Sequence, residues 1–537
     1  MGSVKAQLSP RQEYMTLAWQ WFRSTNYIAR RYDWDGRMIR DAEKGGKLSD
    51  AEFIADALLG NGGGGDVPNP KIPLRDRRPK SPARLIPAIV GRFSTLLFTP
   101  KMSPAVKHRF DAELSAFVEQ LVKDVNLWAH LLEVRNIGGA MGSGVTAWSI
   151  DDGDIKLEAL DPRWVSVKWA SRAHGRIKSA DIRFQYTQVE LVQLPTSNTF
   201  VEKPQVYWYR RRIDDTRDTV YKPMKQEDVD AGAQWRIDTD KSYAHGFGIC
   251  PVVWVQNTRN TALTDGDPDC HQLFGVAETV DALRSQAAKG SLANCDPSLV
   301  VFTDDEIKEV LGGSTHAFRL PLGSDTKLLE IEGTGPITAY TIADKLKAGL
   351  LEAVCCVLDE PTIGDRATTT EVMRAVSAMH ARADTFRTQY GEHAIKVIVG
   401  LVKSITNVHA QPLDDGTVGV VRSGMPQAEF DTLVTALRDE ARELHAVQLE
   451  LTWPKYAAPV MDDVMKAATA AKLAVDARFL TPEHAVRWVS QFFDVMDPEA
   501  LLAEVQKLSP PEPAVAPPGK PAGPQPGKEK SDGPEAA

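Results

Sequence analysis

Apolar residues first recur at three- and four-residue steps, over 85–98 and 111–137, the spacing that lays one apolar stripe along a helix. From Val145 the period shortens to two. Val145, Ala147 and Ser149 stand at alternate positions, a turn follows at Asp151-Asp-Gly-Asp154, and Ile155, Leu157 and Ala159 resume the alternation. That pattern predicts a hairpin, with further strands at 164–169, 177–186, 205–212, 219–222 and 252–256. Asp151, Asp152 and Asp154 at the tip do not make a calcium loop, because the remaining ligands are missing.

Helical spacing returns at 269–293, where Leu273, Val276, Val280 and Leu283 form one stripe. A compact stretch follows, with a strand expected at 299–302 and a short helix at 304–311, punctuated by Gly312, Gly313, Pro321, Gly323, Gly333 and Gly335. A second helix is expected at 337–359, then a loop at 361–368, then a long helix at 369–406. On that long helix Val372, Val376, Met379, Ala383, Phe386, Tyr390 and Val397 repeat as a core-facing stripe. Strands at 418–421 and 448–453 flank a helix at 427–444. Helices are expected at 461–475, 481–493 and 498–508, with Thr481 as N-cap and Pro482 at the first helical position of the second. Residues 509–537 hold nine prolines and almost nothing large and apolar, so they are expected to be disordered.

Composition narrows the function more by exclusion than by signal. The chain has 537 residues, 43% hydrophobic, enough for a large core, and a formal net charge of −9. A net-acidic chain is poorly suited to grip DNA over a broad face, which takes clustered Lys and Arg. The five cysteines form no CxxC pair, and adjacent Cys355 and Cys356 read as reduced core residues. The N-terminus lacks the apolar run of a secretory signal. The most apolar stretch, 394–405, is broken by Lys396 and Lys403, so no membrane span is expected. These features predict a soluble protein assembled in a reducing cytoplasm.

The sequence carries none of the common catalytic motifs. No GxxxxGK[ST], HExxH, GxSxG or CxxC…CxxC occurs. The glycines at 62–65 lack the Lys-Ser/Thr of a phosphate loop, and those of Gly138-Gly-Ala-Met-Gly-Ser-Gly144 lead into a strand pattern, so a backbone turn is expected there. The aromatics between Tyr14 and Trp34, interleaved with Arg23, Arg30 and Arg31, read as a helix packing its aromatic face rather than as a base-stacking platform. No enzyme activity, metal or cofactor is expected.

The order of these parts, with several local sequences, resembles the portal (head-tail connector) proteins of tailed bacteriophages. The strongest local match is His245-Gly-Phe-Gly-Ile-Cys-Pro251-Val-Val-Trp-Val-Gln-Asn257, which is similar to the family's glycine-proline-valine strand ending in Asn. An acidic Gly-rich turn, Asp265-Gly-Asp-Pro-Asp269, follows it, as it does before the first stem helix of that family. Leu85-Ile-Pro-Ala-Ile-Val90 and Leu96-Leu-Phe98 resemble the early wing helix, and Asp161-Pro-Arg-Trp-Val-Ser-Val167 the wing strands. Leu451-Thr-Trp-Pro454 and Leu480-Thr-Pro-Glu483 resemble the approach to the helical crown. The resemblance spans 10–508. It departs at Asp365-Arg-Ala-Thr-Thr-Thr-Glu371, where many relatives carry a Ser-Gly-rich segment.

The resemblance implies an α+β portal fold: a mixed α/β wing at 1–268 and 369–460, a stem of two helices at 269–296 and 337–360, and a small α/β clip at 297–336. It further implies a tunnel loop at 361–368, a helical crown at 461–508 and the Pro-rich tail at 509–537. It also implies a homo-oligomeric ring of about twelve subunits at one capsid vertex of a virion. The ring would contact the major capsid protein, dock the terminase large subunit and later the head-tail adaptor, and pass double-stranded DNA during packaging and ejection. On this reading Asp344, Lys345, Lys347, Glu352, Asp359, Glu360, Asp365 and Arg366 are candidates for the channel and tunnel loop. Acidic residues would line the lower channel, and Arg366 or the lysines would form a sparse ring on the DNA backbone. Asp304, Asp305, Glu306, Lys308 and Glu309 are candidates for the clip surface that docks terminase or adaptor. The alternatives are another oligomeric virion protein, such as an adaptor or tail component, and a DNA-packaging enzyme, which the missing P-loop disfavours.

Overall fold

The computed structural model describes residues 8–30, 32–35, 73–108, 112–151, 154–170, 175–193, 200–261, 263–295, 298–302, 325–329, 334–358, 376–409, 449–456 and 461–490. The chain is mixed α+β and divides into two compact units, Met1–Tyr456 and Ala457–Ala537.

The first unit begins with α1 (Pro10–Phe22), capped by a reciprocal Ser9–Gln12 box. Its Met15, Ala18 and Trp21 are buried, and Trp21 stacks on Phe274 with centroids 6.0 Å apart, so the aromatic segment is packing surface. Helix α2 (Leu85–Phe98) has the limits its periodicity predicts and buries nine of its residues. After β1 (Ala105–His108), the helical stretch expected at 111–137 is two helices, α3 (Ala112–Asp124) and α4 (Leu127–Met141). Asn126, at φ +49°, turns the chain between them. Asn tolerates the left-handed conformation better than most side chains do.

The hairpin β2 (Ser143–Asp151) and β3 (Asp154–Leu160) closes with Asp151 opposite Asp154, as the alternation predicts. With β10 (Val252–Gln256), β2 and β3 make a three-stranded sheet in the order β10-β2-β3. A larger antiparallel sheet holds β4 (Val165–Trp169), β5 (Ile177–Gln193), β6 (Phe200–Ile213), β7 (Arg217–Val220) and β9 (Tyr243–Ala244), with β8 (Met224–Lys225) pairing β6. The short helix α5 (Gln226–Asp230) follows β8. One face of this sheet packs Val165, Ala180, Ile182 and Ile213 against Val145, Ala147, Val252 and Trp254 of the three-stranded sheet.

Next come α6 (Phe274–Cys295), a hairpin of β11 (Ser298–Phe302) and β12 (Asp325–Leu329), and α7 (Thr334–Ala353). Helices α6 and α7 run antiparallel. Gly290, near the end of α6, faces Pro336 at the start of α7, and a Cβ on it would meet the proline ring at 2.7 Å. Arg284, earlier on α6, lies over Tyr340. Helix α7 ends at Ala353, short of the expected 359, because Cys355 takes φ +52° and Cys356 N–H donates to the Leu351 carbonyl at 2.9 Å. That six-to-one bond stops a helix even without glycine.

The long helix α8 (Ser377–His409) carries the core. Its Ala383, Phe386, Tyr390, Ala394, Val397, Ile398 and Leu401 are buried, and Phe386 meets Phe93 of α2 edge-on at 5.4 Å. Strand β13 (Leu449–Thr452) pairs with β1. The parts of the long helix expected at 369–375, and the elements expected at 304–311, 418–421 and 427–444, lie outside the described residues.

In the second unit, α9 (Met461–Asp476) and α10 (Pro482–Ser490) are described. Thr481 caps α10 as expected, its hydroxyl accepting from His484 N–H at 3.3 Å. The helix expected at 498–508 and the tail at 509–537 lie outside the described residues. Among the described residues no helix is long and apolar enough to cross a membrane.

Candidate functional site

Helix α6 begins, α7 ends and α8 passes through one place, and a buried polar knot holds it. Arg135 of α4 and Asp269 of the turn before α6 are both fully buried, with Arg135 Nη2 3.0 and 3.1 Å from the two carboxylate oxygens. Asn257, at the end of the Pro251–Asn257 motif, donates from Nδ2 to Asp269 Oδ1 at 2.9 Å and accepts from the Tyr390 hydroxyl at 3.1 Å. The Arg135 guanidinium lies over the rings of Phe386 and Tyr390, at 4.3 and 5.4 Å. Two charges removed from water this way are held by their mutual attraction, and Arg135 bonds through Nη2 alone, its buried Nε and Nη1 lying against the aromatic rings without a hydrogen-bond partner. Burial pushes the Tyr390 phenol above its ordinary value, so it stays a donor.

The glycines at 138–144 exist to let this knot close. Gly138 and Gly139 lie in the last turn of α4, not in the turn expected from their sequence. A Cβ on Gly138 would meet the Tyr390 hydroxyl at 2.1 Å, and one on Gly139 would meet Arg135 Nη1 at the same distance. Gly142 ends the helix at φ +95° against the Gly266 carbonyl. Asp269 N–H bonds the Gly139 carbonyl at 2.9 Å, fixing the turn on α4.

A second tie comes from α8. Arg382 donates from Nη1 to the Val354 carbonyl, just past α7, at 2.8 Å, and from Nη2 to the Asp269 carbonyl, just before α6, at 3.0 Å. Its guanidinium lies over Phe93 and Phe386 at 5.4 and 5.7 Å. One side chain therefore pins both ends of the α6–α7 hairpin. Higher on α6, the buried Asp281 carboxylate accepts from Tyr27 Oη at 2.7 Å and from Ala83 N–H at 2.6 Å, and Arg30 pairs with Glu278. Desolvation raises the Asp281 carboxyl above the usual range. Cys270 and Cys356 are buried free thiols, and desolvation pushes the Cys356 thiol up to about 11, so neither is poised as a nucleophile.

The channel candidates divide. On α7, Ala343 and Leu350 are buried and Leu346 and Lys347 half-buried, while Asp344, Lys345 and Glu352 are exposed. Lys345 and Glu352, seven residues apart, share the outward face, and Asp344 flanks it. The described part of this face thus presents two acids and one base. Asp359, Glu360, Asp365 and Arg366, and the clip candidates Asp304, Asp305, Glu306, Lys308 and Glu309, lie outside the described residues. Sequence reasoning missed Arg135, Arg382 and Tyr390 as members of one site. Arg135 had a readable signal: a lone cation inside the apolar helical spacing Leu131, Val134, Ile137.

Among the described residues no group of three or more His, Cys, Asp or Glu is placed to hold a metal ion. No protein-family model matches this sequence, and no curated protein matches it.

Proposed function

We propose that this chain is the subunit of a bacteriophage portal ring, the conduit through which double-stranded DNA enters and leaves a capsid. The observation that supports it most is the antiparallel pair α6 and α7, bracketing a small β-hairpin and pinned at its base to a 33-residue helix. At 1.5 Å per residue the two helices are each about 30 Å long. They form a two-helix stem, β11 and β12 belong to its clip, and the sheets with α2, α4 and α8 form the wing.

The charge arithmetic agrees with a conduit. Each phosphate neutralised by a cation releases counterions and tightens binding, so a wall of lysines would arrest DNA rather than pass it. A mixed, sparsely charged stem face touches any sequence equally, because the contacts are to phosphate and not to base edges. In this reading the clip docks the terminase large subunit and later the head-tail adaptor, and the wing meets the major capsid protein.

Electron microscopy of the purified full-length chain tests the proposal. The expected result is a closed ring of about twelve copies with a channel wide enough for a DNA duplex. A monodisperse monomer, or an assembly with no through-channel, overturns it.

A further inference from the structure

The outer face of the six-stranded sheet carries a cluster of cations that the conduit reading does not use. Strand register places Lys168 opposite Ser179, Asp181 opposite Arg212 and Arg183 opposite Arg210. All of these alternate with the buried Val165, Ala180 and Ile182, so they stand on the side turned away from the core. Tyr221 comes next to Arg210, its N–H bonding the Arg210 carbonyl at 3.0 Å. Four cations thus share this face with one carboxylate, Asp181, in their midst and a second, Asp214, at its edge beside Arg212.

The arrangement is built rather than incidental. Asp181 Oδ1 accepts from Arg210 Nε at 3.0 Å, and Asp181 Oδ2 lies 3.5 Å from Arg183 Nε. Both guanidiniums lie over the Trp235 indole, at 5.6 and 5.8 Å, and Arg210 also covers Tyr221 at 4.8 Å. Stacking fixes the planes of the two forks, and Asp181 occupies only their Nε edges. Among the described residues the Nη nitrogens of Arg183 and Arg210 have no hydrogen-bond partner, and the Arg183 side chain is 48% exposed. Arg212 is exposed beside Asp214, whose Oδ1 is already committed to Thr216 N–H, the Thr216 hydroxyl and Arg217 N–H.

We propose that this face docks an acidic segment of a partner protein, its carboxylates received by Arg183, Arg210 and Arg212 with Lys168 at the margin. Planar guanidinium forks match carboxylates in geometry, and Asp181 already shows a carboxylate held between two of them. The indole face is capped by guanidinium, so a nucleic-acid base has no free ring there to stack on, which separates this surface from a single-strand platform. The chain as a whole is net acidic, at −9, which steers an acidic partner away from other faces and toward this one. The inference stands independently of the conduit reading.

The test is fluorescence anisotropy of the full-length protein with a short fluorescein-labelled peptide of alternating Glu and Leu, at low and moderate salt. Binding is expected to weaken about tenfold or more on Arg183→Glu and on Arg212→Glu, to weaken less on Lys168→Glu, and to fall with salt. Trp235 fluorescence is expected to change on peptide addition. Both arginines are exposed, so the variants are expected to fold, which circular dichroism checks. Peptide binding that survives all three reversals overturns the proposal. So does equal or tighter binding of the matching Lys-Leu peptide, or of a DNA duplex at the same patch.

Discussion

Helices α7 and α8 follow each other in one chain, yet only one of them is completed by it. Helix α8 buries a stripe from Met379 to Ile405, with Ala383, Tyr390, Ala394, Val397 and Ile398 entirely shielded. Helix α7 buries Ala343 and Leu350 and leaves Ile337, Tyr340 and Ile342 at 67%, 48% and 44% exposure. The difference separates two jobs for apolar side chains. Those of α8 hold the fold together, while on α7 Ile337 and Ile342 stand exposed and Tyr340 meets only the Arg284 guanidinium lying over it. Large exposed apolar residues in a row suit contact with another molecule better than life in water.

The largest effect should come from the polar knot beneath α8. Asp269→Ala leaves Arg135 charged, buried and unpaired, and is expected to cost about 3–5 kcal/mol in urea unfolding. A loss under about 1 kcal/mol would mean that the pair is not what seats α8 on α4. Next comes Gly138→Ala, which drives a methyl into the Tyr390 hydroxyl and should cost about 1–3 kcal/mol. Adding Tyr390→Phe to that variant should recover part of the loss, a coupling measurable by a double-mutant cycle.

Acid should also act on α8 before α7. His393 is fully buried on α8, its Nε2 2.9 Å from the Thr146 hydroxyl, which lies 3.2 Å from His130 Nε2. Desolvation pushes His393 down to about 3 and His130 down to about 4. Unfolded histidines titrate near about 6.5, so between that value and about 4 the unfolded chain takes up protons that the native chain refuses. Stability is therefore expected to be intact above about pH 6.5 and to fall steadily as pH drops toward about 4. Urea midpoints across that range measure the slope, and His393→Leu should flatten it. The smallest effect on stability belongs to α7. Ile337→Ser with Tyr340→Ser should shift urea unfolding by no more than about 0.5 kcal/mol, yet abolish the proposed ring on size-exclusion chromatography. A large stability loss in that variant would show that α7 is core after all.

Much of the scaffold was legible because its local signals and its packing agree. The limits of α2 and β10, the Asp151–Asp154 turn and the Thr481 cap follow from spacing and cap chemistry alone. Where a non-glycine residue takes a positive φ, as Asn126 and Cys355 do, sequence carries little warning, and the ends of α3 and α7 were misplaced accordingly. Strand β6 begins at Phe200, ahead of the expected 205, and carries Pro204 opposite Val189 in a long two-stranded arm. The site was harder. Asn257 and Asp269 belong to a quotable motif, but their partners Arg135, Arg382 and Tyr390 come from two helices far away in sequence. Only tertiary closeness makes them a unit, and the glycines that permit it looked like a turn.

Arg382 has a consequence for how this protein can vary. The α6–α7 hairpin opens after Asp269 and closes at Val354, and both carbonyls rest on the same guanidinium. A segment whose two ends are fixed at one point can be lengthened, trimmed or exchanged without shifting what lies outside it. Doubling the length of such a loop costs only about 0.6 kcal/mol in closure entropy. The stretch between α6 and α7 is in that sense a cassette, open to being rewritten while the fold that carries it stays as it is.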